Sequence, residues 1–533
     1  MTIASRFGLG TAALTCLALA GCTTTPSSAP LVEADALIKG GLVFDGSGGE
    51  GQSVDVVLDG GQIAFIGPDA ENYYSTRLTI EAEGLVVAPG FIDPHTHAES
   101  DLSSDDRERR ANLPFAFQGV TTVVVGNDGF GDPGIAAQAQ AAREQGIGTN
   151  VAYLVGFGPI RREVLGTENR APTPAELERM EARTRQAMCE GAWGFSAGLY
   201  YVPQNYAATD EVVALARIAG AYGGYYDTHM RDESTYNITV SGALTEALEI
   251  GRNAETPVHI AHIKALGPAV WGYSARMIAA IEAARSEGMQ VTADQYPWEA
   301  SGTRISNALV PRAALEGGLA ALRDRLDDPD QLATIRSGML EGLARRGGAE
   351  KLLVTGALHG ADVPVGKTLA QLAQDRRLEP VDAAIAVLRE GDARVASFNM
   401  SESDIAAFAS QEWVVTGSDG SSGHPRKYAS FPKAYRDLVL GNAAMPIARF
   451  IRRSSGQTAD IIGLTDRGYL RPGYAADVVV FDPRQFAPRA SYQTPREFSA
   501  GVAHLFVNGK HLINEGQYTS ALPGAPLLRD VQC

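Results

Sequence analysis

Hydrophobic and polar positions along this chain follow two rhythms. Near both ends the apolar runs are short and turn residues separate them. Ala36-Leu37-Ile38, Val54-Asp55-Val56-Val57-Leu58 and Ile63-Ala64-Phe65-Ile66 read as strands, punctuated by Gly40-Gly41, Asp45-Gly46, Asp59-Gly60-Gly61 and Gly67-Pro68. Ala476 to Phe481 and Leu505-Phe506-Val507 read the same way, and Asn508-Gly509 predicts a hairpin turn. Two β-rich ends around a different middle predict one small sheet domain built from both termini, over 35–84 and 460–525. The middle holds eight apolar runs of buried-strand character: Leu85–Ile92, Val120–Val125, Val151–Phe157, Ala192–Ala197, Gly224–Thr228, Val258–Ile263, Gln290–Ala293 and Trp413–Thr416. Most precede a helical pattern, such as Pro174–Cys189, Asp210–Ala221, Val240–Asn253 and Ser274–Glu287. Repeated β/α units of this kind predict an α/β chain with a TIM (β/α)8 barrel over 85–459. The rhythm breaks between Tyr296 and Trp413, where Leu309 to Gly348 looks helical and charged. That break predicts an inserted lid after strand seven, over 299–358.

The first 21 residues read as an export signal rather than as fold. Arg6 is followed by an uncharged, mostly apolar stretch from Phe7 to Ala20, too short for a comfortable membrane span. Leu19-Ala20-Gly21-Cys22 resembles the lipobox of bacterial lipoproteins, which implies cleavage before Cys22 and lipidation of its sulfur. Residues 22–34 then form a tether. The expected location is the bacterial cell envelope, lipid-anchored and facing the periplasm. Cys189 and Cys533 would be the remaining thiols. Their spacing is no disulfide framework, and although an oxidising compartment allows a bridge, Cys189 near a helix end reads better as a buried structural thiol. Among 533 residues, 45% hydrophobic and 20% charged is globular composition. Acidic side chains outnumber basic ones, 62 to 46, and no long Lys/Arg run exists, which argues against a nucleic-acid partner.

Polar residues recur where a barrel places its active site, at the C-terminal strand ends. The first run leads into Asp93-Pro94-His95-Thr96-His97, and residues two apart on an extended chain face the same way, so His95 and His97 can share one metal ion. The second run ends in Gly126-Asn127-Asp128-Gly129 and the fifth in Asp227-Thr228-His229. The sixth runs His259-Ile260-Ala261-His262-Ile263-Lys264, and the eighth ends in Gly417-Ser418-Asp419-Gly420. His95, His97, His229, His262, Asp128 and Asp419 would then converge on one mouth. Nitrogen and oxygen donors in this mix suit Zn2+, with Mn2+ or Co2+ as alternatives. His259 faces away from His262 and Lys264 and reads as structural. A non-catalytic binding lipoprotein on a decayed barrel is disfavoured, because every candidate position keeps a ligand-capable side chain.

Those residues carry a resemblance. The chain resembles the amidohydrolase superfamily, and within it the N-acyl-D-amino-acid deacylases (D-aminoacylases), from Asp35 to Gly516. The matching stretches include Ala88 to His97, Ser196-Ala197-Gly198-Leu199-Tyr200-Tyr201, Thr228-His229-Met230-Arg231 and His262-Ile263-Lys264. Asp294-Gln295-Tyr296-Pro297, Gly417 to Gly420, His424-Pro425-Arg426, Ser430-Phe431-Pro432 and Arg471 to Asp477 complete them. The resemblance implies a barrel with a composite β-sandwich and a lid after strand seven. It implies hydrolysis of small N-acyl-D-amino acids to a carboxylate and a free D-amino acid. It also implies a tight zinc site at position 128, His229 and His262, and a weaker second site adding His95, His97 and Asp419. Asp419 would be the proton shuttle, and Tyr201, Lys264, Tyr296 and Arg426 would hold the substrate's α-carboxylate. One departure stands out: the family usually has Cys where this chain has Asp128, an exchange that loses the soft thiolate favouring zinc. The fourth strand contains no Lys, so subfamilies with a carboxylated lysine there fit worse. Another metal-dependent amidohydrolase activity, such as a D-residue dipeptidase, is the alternative.

Overall fold

The computed structural model describes residues 30–441 and 444–533. The export-signal and lipidation readings, Cys22 included, fall on residues 1–29 and lie outside the described residues. Among the described residues no helix is long and apolar enough to cross a membrane.

Eight parallel strands form the barrel: Phe91–Asp93, Val120–Val125, Asn150–Gly156, Gly194–Gly198, Tyr225–His229, Val258–Ile260, Val291–Gln295 and Val414–Thr416. They neighbour one another in chain order. Val120 to Val125 is buried at every position, as expected of a strand covered on both faces. The helices between them start where the sequence supplies caps. Before Pro174–Cys189, the Thr173 hydroxyl accepts from Glu176 N–H while the Glu176 carboxylate accepts from Thr173 N–H, with Pro174 at the first helical position. The seam between strands eight and one is closed just beyond the strand ends. Asp419 N–H donates to the His95 carbonyl at 2.9 Å, His97 N–H to the Gly420 carbonyl at 3.1 Å, and Ser418 N–H to the Asp93 carboxylate at 3.0 Å. Three candidate ligands therefore sit on the stitching of the barrel.

The predicted first strand, Leu85–Ile92, is two strands in two sheets. Val86–Pro89 pairs antiparallel with Val478–Phe481 in the terminal β-domain, and Phe91–Asp93 opens the barrel. Gly90 lies between them: a Cβ there would stand 2.2 Å from Thr121 Cγ2, so the crossing has no room for a side chain. Phe91 then packs against Phe431, Phe450, Phe481 and Phe486, joining barrel and β-domain. The β-domain draws on both termini. Val32–Val43 pairs with Gln52–Asp59, Tyr74–Glu81 and Val86–Pro89, and Val478–Phe481 continues the sheet to Val502–Val507 and Lys510–Asn514. Asn508 and Gly509, both at positive φ, make the hairpin turn that the sequence predicts.

The segment after strand seven carries more than helices. Ala300–Arg304, Asp392–Phe398 and Leu352–Leu358 form a three-stranded antiparallel sheet, with Asp392–Phe398 in the middle. Its helices pack a core of their own around Leu322, Leu326, Met339, Val354 and Leu388. The chain does not rejoin the barrel until Val414.

The reading of Cys189 as a buried free thiol is corrected: Cys189 and Cys533 form a disulfide, with Cα atoms 5.9 Å apart. The C-terminal tail brings the partner back. Pro526–Leu527 adds to barrel strand three, Trp193 Nε1 donates to the Leu527 carbonyl, and Arg529 N–H donates to the Gly191 carbonyl.

Candidate metal centre

The centre is built on sharp exits from the strands. After strand two, Gly126, Asp128 and Gly129 all take positive φ. A Cβ on Gly126 would meet the Leu154 carbonyl at 2.3 Å, and one on Gly129 would meet Gln204 Oε1 at 2.0 Å. Gln204 Nε2 also donates to the Asp128 carbonyl at 3.0 Å. Asp128 (φ 57), His262 (φ 36) and Asp419 (φ 48) all occupy the left-handed region, at the ends of strands two, six and eight. Non-glycine residues adopt it at a cost of order 1–3 kcal/mol when the surrounding structure demands it.

All six expected ligands come together, and Asp128 is their hub. Its Oδ1 lies 3.3 Å from His262 Nε2, 3.6 Å from His229 Nδ1 and 3.4 Å from His95 Nε2. Its Oδ2 lies 3.5 Å from His97 Nε2. His97 Nε2 is 3.3 Å and His95 Nε2 3.9 Å from Asp419 Oδ1. His229 Nδ1 and His262 Nε2 approach to 2.8 Å. Two donor triads result, His95/His97/Asp128 and Asp128/His229/His262, each with its donor atoms within 4.8 Å of one another. Asp128 Oδ1 and His95 Nε2 are buried without a hydrogen-bond partner. Such an orphaned nitrogen–oxygen set suits divalent cations on either side of a shared carboxylate.

Two carboxylates behind the histidines had no assigned role in the sequence reading. Glu233 Oε1 lies 3.3 Å from His262 Nδ1 and 2.6 Å from Lys264 Nζ, and its Oε2 lies 3.6 Å from His229 Nε2. Asp294 Oδ2 accepts from His262 N–H at 3.1 Å and lies 3.7 Å from His95 Nδ1. Carboxylates behind imidazoles orient the rings and raise their basicity. His259, read as structural, joins this layer, with Nε2 3.1 Å from Asp294 Oδ2 and Nδ1 2.8 Å from Thr292 Oγ1. Asp294 stood in a matched motif, and Glu233 stands four residues after His229.

The electrostatics follow from this crowding. Burial would raise the Asp128 carboxyl, but His95, His262 and His229 outweigh it and hold it well below the usual carboxylate range. Burial disfavours charge on His97, yet Asp128 and Asp419 push it up to about 10. Burial and Lys264 oppose charge on His262, yet Asp128 and Glu233 push it up to about 10 as well. Burial also works against an ionised Asp419, but Arg426, His97 and other imidazoles keep it below its ordinary value.

The four residues expected around a substrate carboxylate are all at the site. Lys264 is ion-paired with Glu233. Arg426 grips Asp419 through Nη2 to Oδ1 at 2.8 Å and Nη1 to Oδ2 at 2.7 Å. The Tyr296 ring lies near both cations, 5.9 Å from Lys264 Nζ and 5.0 Å from Arg426 Cζ, and its hydroxyl is buried and unpartnered. Tyr201 packs on His229 with ring centroids 4.8 Å apart. Above them a cavity of about 660 Å3 is walled by the barrel ends and by insert residues including Ser301, Arg304, Asn307, Leu319 and Arg394.

Comparisons with known proteins point to one family. The model of the amidohydrolase family matches residues 78–513. D-aminoacylase of Alcaligenes xylosoxydans xylosoxydans is 31% identical over 93% of this chain and 98% of its own length. N-acyl-D-glutamate deacylase of the same organism is 32% identical over 93% and 97%. The solved structure of N-acyl-D-glutamate deacylase from Bordetella bronchiseptica, complexed with zinc and a phosphonate inhibitor, superposes with a TM-score of 0.77. It has 29% identity and covers 93% of this chain and all of its own.

Because His97 and His262 titrate near pH 10 in the metal-free protein, both carry protons at pH 7.5. A metal ion must displace them. Zinc binding is expected to release roughly two protons at pH 7.5, and the apparent affinity to rise with pH until about pH 10. Titration calorimetry in two buffers of different ionisation enthalpy measures the release; a heat that is the same in both contradicts it.

Proposed function

The chain belongs to the amidohydrolase family and is a hydrolase of amide C–N bonds, and from that premise we propose that it deacylates N-acyl-D-amino acids, with zinc as the metal held by His95, His97, Asp128, His229, His262 and Asp419. The observation that carries this reading is the position of Lys264, Tyr296 and Arg426 beside the donor cluster. Two cations and a free hydroxyl suit a carboxylate, and holding a carboxylate there presents an amide one carbon away to the donors. Similarity to D-aminoacylase and N-acyl-D-glutamate deacylase supports the substrate class.

Bound zinc would supply Lewis acidity to the scissile carbonyl and acidity to a water molecule. The rest falls to side chains. Before substrate binds, Arg426 keeps Asp419 ionised, and once the substrate's carboxylate engages Arg426 an Asp419 oxygen is free to take the water's proton as the water oxygen attacks the carbonyl carbon. When the substrate's carboxylate draws Arg426 to itself, Asp419 loses the cation that most depresses its pKa. It can then keep the proton until the C–N bond breaks and return it to the departing nitrogen. Glu233, which contacts both His229 and His262, keeps those rings in place meanwhile.

The carboxylate clamp and the donor cluster fix two points of the substrate, and the side-chain pocket fixes the third. N-acetyl-D-amino acids are therefore expected to be hydrolysed at least ~10-fold faster than their L-enantiomers in kcat/KM. Equal turnover of the two enantiomers, measured on the zinc-loaded enzyme, contradicts the assignment.

The same reading includes a lipid-anchored location in the cell envelope. The Cys189–Cys533 disulfide supports an oxidising compartment. In cells of a host that processes lipoproteins, the wild-type chain is expected in the membrane fraction and the Cys22→Ser variant in the soluble fraction. A wild-type chain recovered soluble with Met1 intact contradicts the anchor.

A further inference from the structure

Another cavity, of about 340 Å3, lies on the far side of the barrel wall from the metal centre. The ends of strands seven and eight, at Gln295 and Thr416, form one side of it, and the helices Glu402–Ala409, Arg426–Ala434 and Ile447–Ser454 contribute the others. Successive residues of an extended chain point to opposite faces. Asp294 and Tyr296 face the metal centre and its cavity, while Gln295 between them faces this one.

Its polar groups are unbalanced in a specific way. Arg453 is 3% exposed and lines the cavity. Among the described residues its Nη1 donates to the Ala409 carbonyl at 2.8 Å, but its Nε is buried without a partner and it forms no salt bridge. Burial and Arg449 bring its pKa down to about 9, with Glu412 opposing them, so it is still a cation at neutral pH. Gln295 is 5% exposed, and its Nε2 is also buried and unpartnered. Buried donors are costly without an acceptor, and a buried cation most of all. The cavity's carboxylates stand elsewhere. Glu402 is exposed and Glu299 half-buried, and neither has a salt bridge among the described residues, whereas Asp437 pairs with Lys433 at 2.8 Å. The cavity is therefore positive at its floor and negative at its rim, and Ile405 and Leu438 add apolar wall.

We propose that this cavity binds a free α-amino acid, with its carboxylate on Arg453 and Gln295 and its ammonium group toward Glu299 and Glu402. A carboxylate has enough lone pairs to accept from a guanidinium and an amide at once. The rim carboxylates repel a plain anion and attract the ammonium group, so the site uses both charges of the zwitterion. An N-acyl amino acid has no ammonium group and is disfavoured. The cavity thus takes the class of molecule that the proposed deacylation releases and not the class it consumes; the arrangement of its side chains does not depend on that reading. An amino acid bound there touches Gln295, the residue that joins Asp294 to Tyr296, and so adjoins the metal centre through a single strand.

Titration calorimetry of the zinc-loaded protein with D-alanine, propionate and ethylamine tests this, on wild type, Arg453→Met and Glu299→Gln. Wild type is expected to bind one more D-alanine per chain than Arg453→Met, whether or not the metal centre also holds one. Propionate and ethylamine each lack one of the two charges and are expected to bind this site at least ~10-fold more weakly than D-alanine. Glu299→Gln is expected to weaken D-alanine about fivefold and to leave propionate no weaker. Arg453→Met replaces an unpaired buried cation by an apolar chain, so its melting temperature should stay level or rise. Equal D-alanine stoichiometry in wild type and folded Arg453→Met, or propionate bound as tightly as D-alanine, overturns the proposal. If Arg453→Met does not fold, Glu299→Gln decides, and unchanged D-alanine affinity there overturns it. None of these measurements needs turnover, so a failure of the deacylase reading shows separately, as absent hydrolysis of N-acetyl-D-amino acids.

Discussion

One carboxylate organises the site. Asp128 is buried, and its two oxygens face four imidazoles from three separate stretches of chain. A buried anion is costly unless it is paired or coordinates a cation. Four rings converging on it are costly too once they carry protons. Divalent cations held by Asp128 and these rings would resolve both costs together. That requirement accounts for the left-handed backbone at Asp128, His262 and Asp419, since each turn directs a donor inward where an ordinary strand exit would not. It also accounts for the barrel seam, where the backbone hydrogen bonds closing strand eight onto strand one hold His95, His97 and Asp419 in register.

Around this hub, charge is arranged in layers. Glu233 and Asp294 stand behind the imidazoles, Arg426 stands on Asp419, and the insert adds Arg304 and Arg394 to the cavity wall. The centre itself is not satisfied: Asp128 Oδ1 and His95 Nε2 are buried without a hydrogen-bond partner. A protein tolerates such an imbalance where a ligand completes it, and this one faces the space a substrate would enter. The β-domain plays a mechanical part: Phe91 and its neighbouring phenylalanines clamp the start of strand one, from which His95 and His97 project.

Much of this was legible in the chain because buried parallel strands are continuous apolar runs, and polar residues at their ends are conspicuous against them. The hairpin at Asn508-Gly509 and the helix Pro174–Cys189 were equally plain, since turn and cap chemistry is local. What escaped depended on distant parts of the chain meeting. Leu85–Ile92 looked continuous because nothing local shows that Thr121 crowds Gly90. Glu233 lies in a loop with no periodicity, shaped by Asp232, which accepts from the amides of Ser234, Asn237 and Thr239. Cys189 and Cys533 are 344 residues apart, and Arg304 and Arg394 come together only in the register of a sheet whose helices alone were visible.

The central claim is that the Asp128 carboxylate joins two metal-binding triads, and the Asp128→Asn variant tests it most directly. Asparagine suits the same turn and the same left-handed φ but carries no charge. Metal content per chain after loading with zinc, measured by elemental analysis beside wild type and a melting curve, is the decisive quantity. The account predicts a folded protein whose zinc content falls to less than half that of wild type. A folded Asp128→Asn protein with the full wild-type metal content would contradict it.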